Sequence, residues 1–169
     1  MVERYRCTNC GYFHVGPAPE TCPVCGAPKT AFLAYEGPGD LSGTQTLENL
    51  KAAFAGESQA NRRYTLAKRV AELEGAPASS VEAFDHALTE ETAHALGHLA
   101  YMGGIGTTAE NLQAALQGED YETTEMYPQF AEIAENEGFA DIAFYFRSVG
   151  RYEKVHREQY RKAAEELGE

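Results

Sequence analysis

The sequence predicts a mainly α-helical protein, in which a four-helix bundle follows a small cysteine-rich module. Three observations indicate this division. All four cysteines lie within the first 25 residues, as two closely spaced pairs. From Thr44 onward the chain is rich in Ala, Glu and Leu with helical periodicity, and it repeats itself with a period of 62 residues. We therefore expect a metal-knuckle domain over 1–36, a linker containing Gly and Pro over 37–45, and the helical bundle over 46–169.

The charge balance and the chain's apolar segments argue against several functions. With 26 Asp and Glu against 14 Lys and Arg, the formal net charge is −12, and such a surface repels nucleic-acid phosphates. The N-terminus lacks the apolar segment of a secretory signal, and no window suits a membrane span. We therefore expect a cytoplasmic protein with neither nucleic acid nor membrane as a partner. In that reducing compartment, paired cysteines favour metal ligation over disulfides.

Start and stop signals divide the second part of the chain into four helices. The predicted helices cover 46–74, 77–102, 107–137 and 139–167. Gly75 is a helix stop, and Thr107 with Glu110 forms a capping-box pattern at the start of the third helix. Pro128 lies inside that third helix, where we expect it to cause a kink.

The repeat is clearest where the first and third helices begin. The segments 46–57 and 108–119 are identical at eight of twelve positions. The same offset relates Phe84 to Phe146 in the second and fourth helices. Each helix pair is therefore one structural unit used twice, and we expect the bundle to have approximate internal twofold symmetry.

The repeated positions include carboxylates and imidazoles with metal-ligand spacing. Each unit supplies a single Glu on its first helix and a Glu-x-x-His pair on one face of its second. These residues are Glu57, Glu91 and His94 in the first unit and Glu119, Glu153 and His156 in the second. One Glu from each of two helices plus Glu-x-x-His from each of the other two is the ligand set of ferritin-like dinuclear carboxylate sites. Helix lengths allow all six side chains to meet at one level of the bundle.

Three further residues are candidates near that level. Glu122 follows Glu119 by three residues on the same face, whereas its repeat equivalent is an alanine, so it is either a seventh ligand or a surface residue. Tyr64 and Tyr127 follow the single Glu of their units by seven and eight residues. Their hydroxyls are candidate partners of ligand carboxylates, with ordinary core packing as the alternative.

The cysteines form two Cys-x-x-Cys knuckles, each followed by glycine. They are Cys7, Cys10, Cys22 and Cys25. Four thiolates in this arrangement suit a tetrahedral site, and both zinc and iron fit it. Spacing alone leaves a structural zinc ribbon and an iron site as alternatives.

These motifs together make the chain resemble the rubrerythrin family over nearly its whole length, with the rubredoxin-like module at the N-terminus rather than the usual C-terminus. The most specific stretches are the cysteine knuckles, Phe54–Ala60, Glu91–His94, Gly118–Pro128 and Glu153–His156. The resemblance implies one iron held by the four cysteines as an electron-transfer centre. It also implies two irons held by Glu57, Glu91, His94, Glu119, Glu122, Glu153 and His156.

The resemblance further implies a function. Rubrerythrins reduce hydrogen peroxide to water in the cytoplasm of anaerobic or microaerophilic organisms, and they are usually homodimers. The catalytic residues implied are Glu122 and His94, as ligands that one iron exchanges, and Tyr64 and Tyr127, which hydrogen-bond in the ligand shell. A reductase or small electron-transfer protein would supply electrons. This chain departs from the usual family pattern in its reversed module order and in the short connection between its second and third helices.

Two other functions remain open at this point. A ferritin-like ferroxidase or iron-storage protein would use the same six ligands, but it needs neither the fused four-cysteine module nor a seventh carboxylate. A sensor with a zinc ribbon beside the bundle would carry zinc at the cysteines. Metal analysis and the preference for peroxide or oxygen separate the three.

Overall fold

A computed structural model describes residues 2–168. It confirms a mainly helical chain in which the helices follow a small, strand-containing cysteine module in the sequence. The chain divides into two compact units, which meet in sequence between Ile105 and Gly106. The first unit therefore contains the cysteine module together with the first helix pair, and the second contains the other helices. No helix within 2–168 has both the length and the apolar character needed to cross a membrane.

The cysteine module is built on a three-stranded antiparallel sheet. Its strands are β1 (Arg4–Cys7), β2 (Phe13–Val15) and β3 (Phe32–Ala34), in the order β2-β1-β3. The module's buried core consists of Cys7, Cys22 and Phe32. Because two of these three residues are metal-ligand candidates, the module has little apolar core of its own.

The first helix pair matches the prediction closely. It consists of α1 (Gln45–Glu74) and α2 (Ala78–Tyr101). The Thr44 hydroxyl caps α1 by accepting from the Leu47 amide at 3.1 Å, and Gly75 ends the helix in the left-handed conformation with φ of 67°. Buried Asn61 joins the two helices, since its amide donates to the Leu88 carbonyl at 3.1 Å and the Thr92 hydroxyl at 2.8 Å.

The second unit differs from the prediction in one respect. Its elements are α3 (Thr108–Tyr121), a π-helical turn (Glu122–Met126), α4 (Tyr127–Asn136) and α5 (Ala140–Leu167). The predicted capping box is present, because Thr107 and Glu110 exchange both of their side-chain-to-backbone hydrogen bonds. The irregularity expected at Pro128 lies just before it, as the π-helical turn. Proline has no N–H to donate but fits the first turn of a helix, so Pro128 lies in the first turn of α4 rather than interrupting it.

The π-helical turn inserts one residue into the repeat. Tyr127 therefore takes the structural position of Tyr64, although the two are 63 rather than 62 residues apart. Tyr64 packs against Phe84 with ring centroids 6.0 Å apart and planes at 40°. Tyr127 packs against Phe146 at 6.2 Å and 38°. The inserted residue thus explains the unequal spacing of the two tyrosines in the sequence.

Candidate metal centres

The four cysteine sulfurs form one cluster within the module. Their ligand atoms all lie within 4.8 Å of one another. The Cys7 and Cys25 sulfurs are 3.8 Å apart, and those of Cys10 and Cys22 are 3.7 Å apart. Four sulfurs around a metal with bonds of about 2.3 Å would be about 3.8 Å apart at the corners of a tetrahedron. The cluster therefore has the dimensions of a tetrahedral metal site, and these separations are far too long for disulfides.

The electrostatics of the cluster also fit a bound cation. Burial raises the pKa of Cys10 to about 12, and burial likewise raises the pKa of Cys22. A hydrogen bond from the Asn9 side chain is the largest cause that lowers the pKa of Cys25 to about 6. Several thiolates crowded together in a buried place repel one another unless a cation binds them. Asn9 lies inside the first knuckle and was not among the residues that the sequence singled out.

The first carboxylate–histidine group lies within the first unit. Ligand atoms of Glu57, Glu91 and His94 lie within 4.8 Å of one another, and the His94 Nδ1 is 3.3 Å from the Glu91 Oε2. A hydrogen bond between the two carboxyl groups raises the pKa of Glu57 and lowers that of Glu91. Two carboxylates this close favour sharing one proton, and a divalent cation can take the place of that proton.

The second group repeats this arrangement within the second unit. Ligand atoms of Glu119, Glu153 and His156 lie within 4.8 Å of one another. The His156 Nδ1 is 2.6 Å from the Glu153 Oε2 and 3.7 Å from the Glu119 Oε2. Burial is the main cause that raises the pKa of Glu119, followed by its hydrogen bond with Glu153.

The Glu119 carboxylate has an unsatisfied oxygen. Its Oε2 is buried and finds no hydrogen-bond partner among residues 2–168. A buried carboxylate oxygen without a partner is costly, and metal coordination is a usual reason for keeping one. The donor set of each group, carboxylate oxygens with one imidazole, suits iron among other divalent metals.

The remaining predicted residues lie close to these groups but outside them. Glu122 begins the π-helical turn and is half-buried. Its negative charge contributes to raising the pKa of Glu119 and that of Tyr127. Burial, reinforced by the negative charge of Glu122, raises the pKa of Tyr127. Tyr64 is half-buried against Phe84. Single π-helical turns are frequent at functional sites, and the extra residue before Tyr127 was the sequence signal for this one.

A tetrathiolate site and carboxylate–histidine groups in one chain define a non-haem metalloprotein. A family model described as Rubrerythrin matches residues 48–164, and a second, described as the rubredoxin-like domain of rubrerythrin, matches residues 5–33. The chain belongs to the rubrerythrin family. The family indicates an oxidoreductase, and the cysteine cluster and the two Glu and His groups are consistent with its iron sites.

Individual relatives agree with the family models. A rubrerythrin of Porphyromonas gingivalis is 40% identical over 133 residues, which cover 71% of this chain and 66% of the relative. Rubrerythrin-1 of Clostridium acetobutylicum is 39% identical, with 71% of this chain and 70% of the relative covered. Reverse rubrerythrin-1 of the same organism is 32% identical, with 70% and 73% covered. The chain thus spans about two thirds of the length of the relatives it matches.

Proposed function

We propose that this protein is a non-haem diiron peroxidase that reduces hydrogen peroxide to water and receives its electrons through iron at the four cysteines. The observation that supports this proposal is the presence, in one chain, of a tetrathiolate cluster and two matched groups of two glutamates and one histidine. A storage protein has no use for the first, and a zinc ribbon has no use for the second. The proposal places the enzyme in the cytoplasm, where thiols stay reduced.

The proposed ligands follow the repeat. We propose that the two groups hold one iron each and together make a dinuclear centre, with Glu122 as a further ligand that exchanges with His94. When bound, such an iron pair supplies two electrons to one substrate molecule, which breaks an oxygen–oxygen bond without releasing a radical. The buried, partnerless oxygen of Glu119 supports coordination in the second group.

The chain's own tyrosines are proposed to act as hydrogen-bond donors beside the site. Reduction of hydrogen peroxide to two waters consumes two electrons and two protons. Tyr127 keeps its hydroxyl proton, because burial and the neighbouring Glu122 raise its pKa, so it remains a hydrogen-bond donor. Tyr64 is proposed to hydrogen-bond in the ligand shell of the first unit.

The proposed assembly is a homodimer fed by a reductase or a small electron-transfer protein. Its support is the number of large apolar side chains that the helices leave exposed. Leu66 is 67% exposed on α1, and Phe144 and Tyr152 are 64% and 69% exposed on α5. Apolar surface of this kind is usually covered by another protein surface.

Anaerobic mixing tests the proposed activity. The fully reduced, iron-loaded protein is mixed with hydrogen peroxide or with oxygen, and the visible absorption of the tetrathiolate iron is followed. Rapid reoxidation by peroxide and slow reoxidation by oxygen is the expected result. A preference for oxygen with accumulation of ferric iron would instead indicate a ferroxidase, and zinc at the cysteines would remove the electron-entry role.

The Glu122→Ala variant is expected to keep its iron but to reduce peroxide more slowly, by on the order of tenfold or more, because it removes a ligand that moves rather than one that anchors. Iron content per chain and single-turnover rates measure the two effects. Glu125→Ala is the matched control, since Glu125 is an exposed glutamate in the same π-helical turn. Equal rates in both variants would remove Glu122 from the proposed mechanism.

A further inference from the structure

The cysteine module packs directly on α2 within the first unit. Gly97 on α2 is buried, and the nearest atom to the position of its absent Cβ is the Gly11 carbonyl oxygen, at 4.0 Å. Gly11 follows Cys10 immediately, and its φ of 78° is the left-handed conformation that favours glycine. Gly97 thus leaves room for the Gly11 carbonyl of the first cysteine knuckle to lie against α2, while the positive φ of Gly11 shapes the knuckle.

A small cavity joins the same two elements. It has a volume of about 300 Å³, and its walls include Cys10 and Tyr12 from the module and Ala93, His94 and His98 from α2. His94 is three residues before Gly97, so it lies about one helical turn, roughly 4.5 Å along the axis, from the glycine contact. A cysteine of the tetrathiolate cluster and the histidine of the first carboxylate group therefore line one space.

Aromatic side chains anchor the module at the end of α2. The Tyr35 ring packs edge-on against Phe13 at 5.4 Å and against Tyr101 at 5.1 Å. Arg4 donates to the Ile105 carbonyl at 3.4 Å. These contacts hold the module from a second side, so its position on α2 does not depend on the glycine contact alone.

We propose that the four-cysteine site passes its electron to the metal held by Glu57, Glu91 and His94 of the same chain, across the contact of Gly11 with Gly97. This inference rests on the proposed function for the identity of the metals. One ferrous ion at the cysteines becomes ferric, and one ferric ion at the carboxylates becomes ferrous. The external reductase then returns the iron at the cysteines to the ferrous state. The transfer itself breaks no bond and moves no proton.

The physical reason is distance. Electron tunnelling between two sites weakens steeply as they separate, so the contact of Gly11 with Gly97, which brings the first knuckle against α2, favours transfer within the chain. Gly97 is a positioning residue in this proposal, because it touches neither metal and acts by letting the knuckle approach α2. Its test therefore measures both the contact between the knuckle and α2 and the rate of electron transfer.

Substitution of Gly97 tests the contact. The Gly97→Ala variant adds only a Cβ at ordinary contact distance and should behave as the parent protein. The Gly97→Leu variant adds atoms that overlap the Gly11 carbonyl and should push the knuckle away. In the iron-loaded full chain, hydrogen exchange should accelerate over residues 10–14 in the leucine variant but not in the alanine variant. Unchanged exchange in the leucine variant would show that the contact is absent and would overturn the proposal.

Electron transfer is followed without peroxide. A photoreduced flavin places one electron on the tetrathiolate iron of the oxidised protein, and recovery of that iron's visible absorption measures the onward step. We expect recovery to slow by on the order of tenfold or more in Gly97→Leu and to stay unchanged in Gly97→Ala, since small displacements of reacting groups cost that much. Equal recovery in the leucine variant would overturn the proposal. Because no peroxide is present, loss of the peroxidase function would leave this result standing.

Mixed assemblies separate transfer within a chain from transfer between chains. One chain carries Cys10→Ser, which removes its tetrathiolate iron, and the other carries Glu91→Ala, which removes its first carboxylate group. The proposal predicts that refolded mixtures show no recovery after photoreduction, because no single chain retains both sites. Recovery in the mixture at the rate of the parent protein would show that the electron crosses between chains.

Discussion

Replacing Cys22 with alanine should unfold the N-terminal module while α1 to α5 stay folded. Cys22 is only 2% exposed, and with Cys7 and Phe32 it makes up the module's buried core. A metal held by thiolates supplies folding free energy of about 10–16 kcal/mol in small zinc domains, far more than so small a core can contribute. Loss of one ligand therefore removes the main stabilising interaction of residues 2–35.

Hydrogen exchange measures this effect segment by segment. Amides of β1 and β3 should lose protection in Cys22→Ala, whereas amides of α1 should keep it. Val24→Ala is the matched control, because Val24 packs against the same core from inside the second knuckle without being a metal-ligand candidate. It should lower the stability of the module without unfolding it. Full protection of β1 in Cys22→Ala would mean that the module folds without its metal. A chelator strong enough to remove the metal from the parent protein should reproduce the Cys22→Ala result.

Replacing Glu119 with alanine should abolish iron binding at the carboxylate groups while leaving the tetrathiolate iron in place. Glu119 is the glutamate whose buried oxygen has no hydrogen-bond partner within 2–168, and its pKa is raised by burial and by Glu153. The proposed centre needs bridging and terminal carboxylates to offset the repulsion between two cations. Bound iron should therefore fall from about three ions per chain to about one.

Iron analysis together with thermal unfolding tests this prediction. Glu158→Ala is the control, since Glu158 is exposed and pairs with Arg161 at 2.8 Å on the surface of α5. It should keep all of its iron, because exposed ion pairs contribute little. Without metal, Glu119→Ala should unfold at a higher temperature than the parent protein, because it removes a half-buried carboxylate that has one buried oxygen without a hydrogen-bond partner. Full iron content in Glu119→Ala would remove Glu119 from the site.

The elements that sequence reasoning placed correctly are those governed by local chemistry. The stop at Gly75 and the capping box of Thr107 and Glu110 need only residues within one helical turn, and the structure has both. Glu91 with His94 is another local pattern, because three residues along a helix bring two side chains to one face. The grouping of each triad then required only the antiparallel pairing of its two helices.

The π-helical turn marks the limit of this local reasoning. Pro128 drew attention to the correct region, but the backbone irregularity lies over Glu122–Met126. Its position is coupled to packing, because the inserted residue lets Tyr127 reach Phe146 as Tyr64 reaches Phe84. Contacts between residues on different helices are a tertiary property, and the helical periodicity of one segment does not predict them.

The sequence by itself determined the chemistry of this protein: four thiolates in two knuckles, and a glutamate with Glu-x-x-His used twice at a fixed offset. These follow from residue types and spacing, which local geometry translates directly into donor sets. Only the tertiary structure decided that the cysteine module packs on α2, with Gly11 against Gly97 and with Cys10 and His94 lining one cavity. The physical reason is that glycine leaves no side-chain pattern to read, so close backbone approach becomes visible only when both segments are in place.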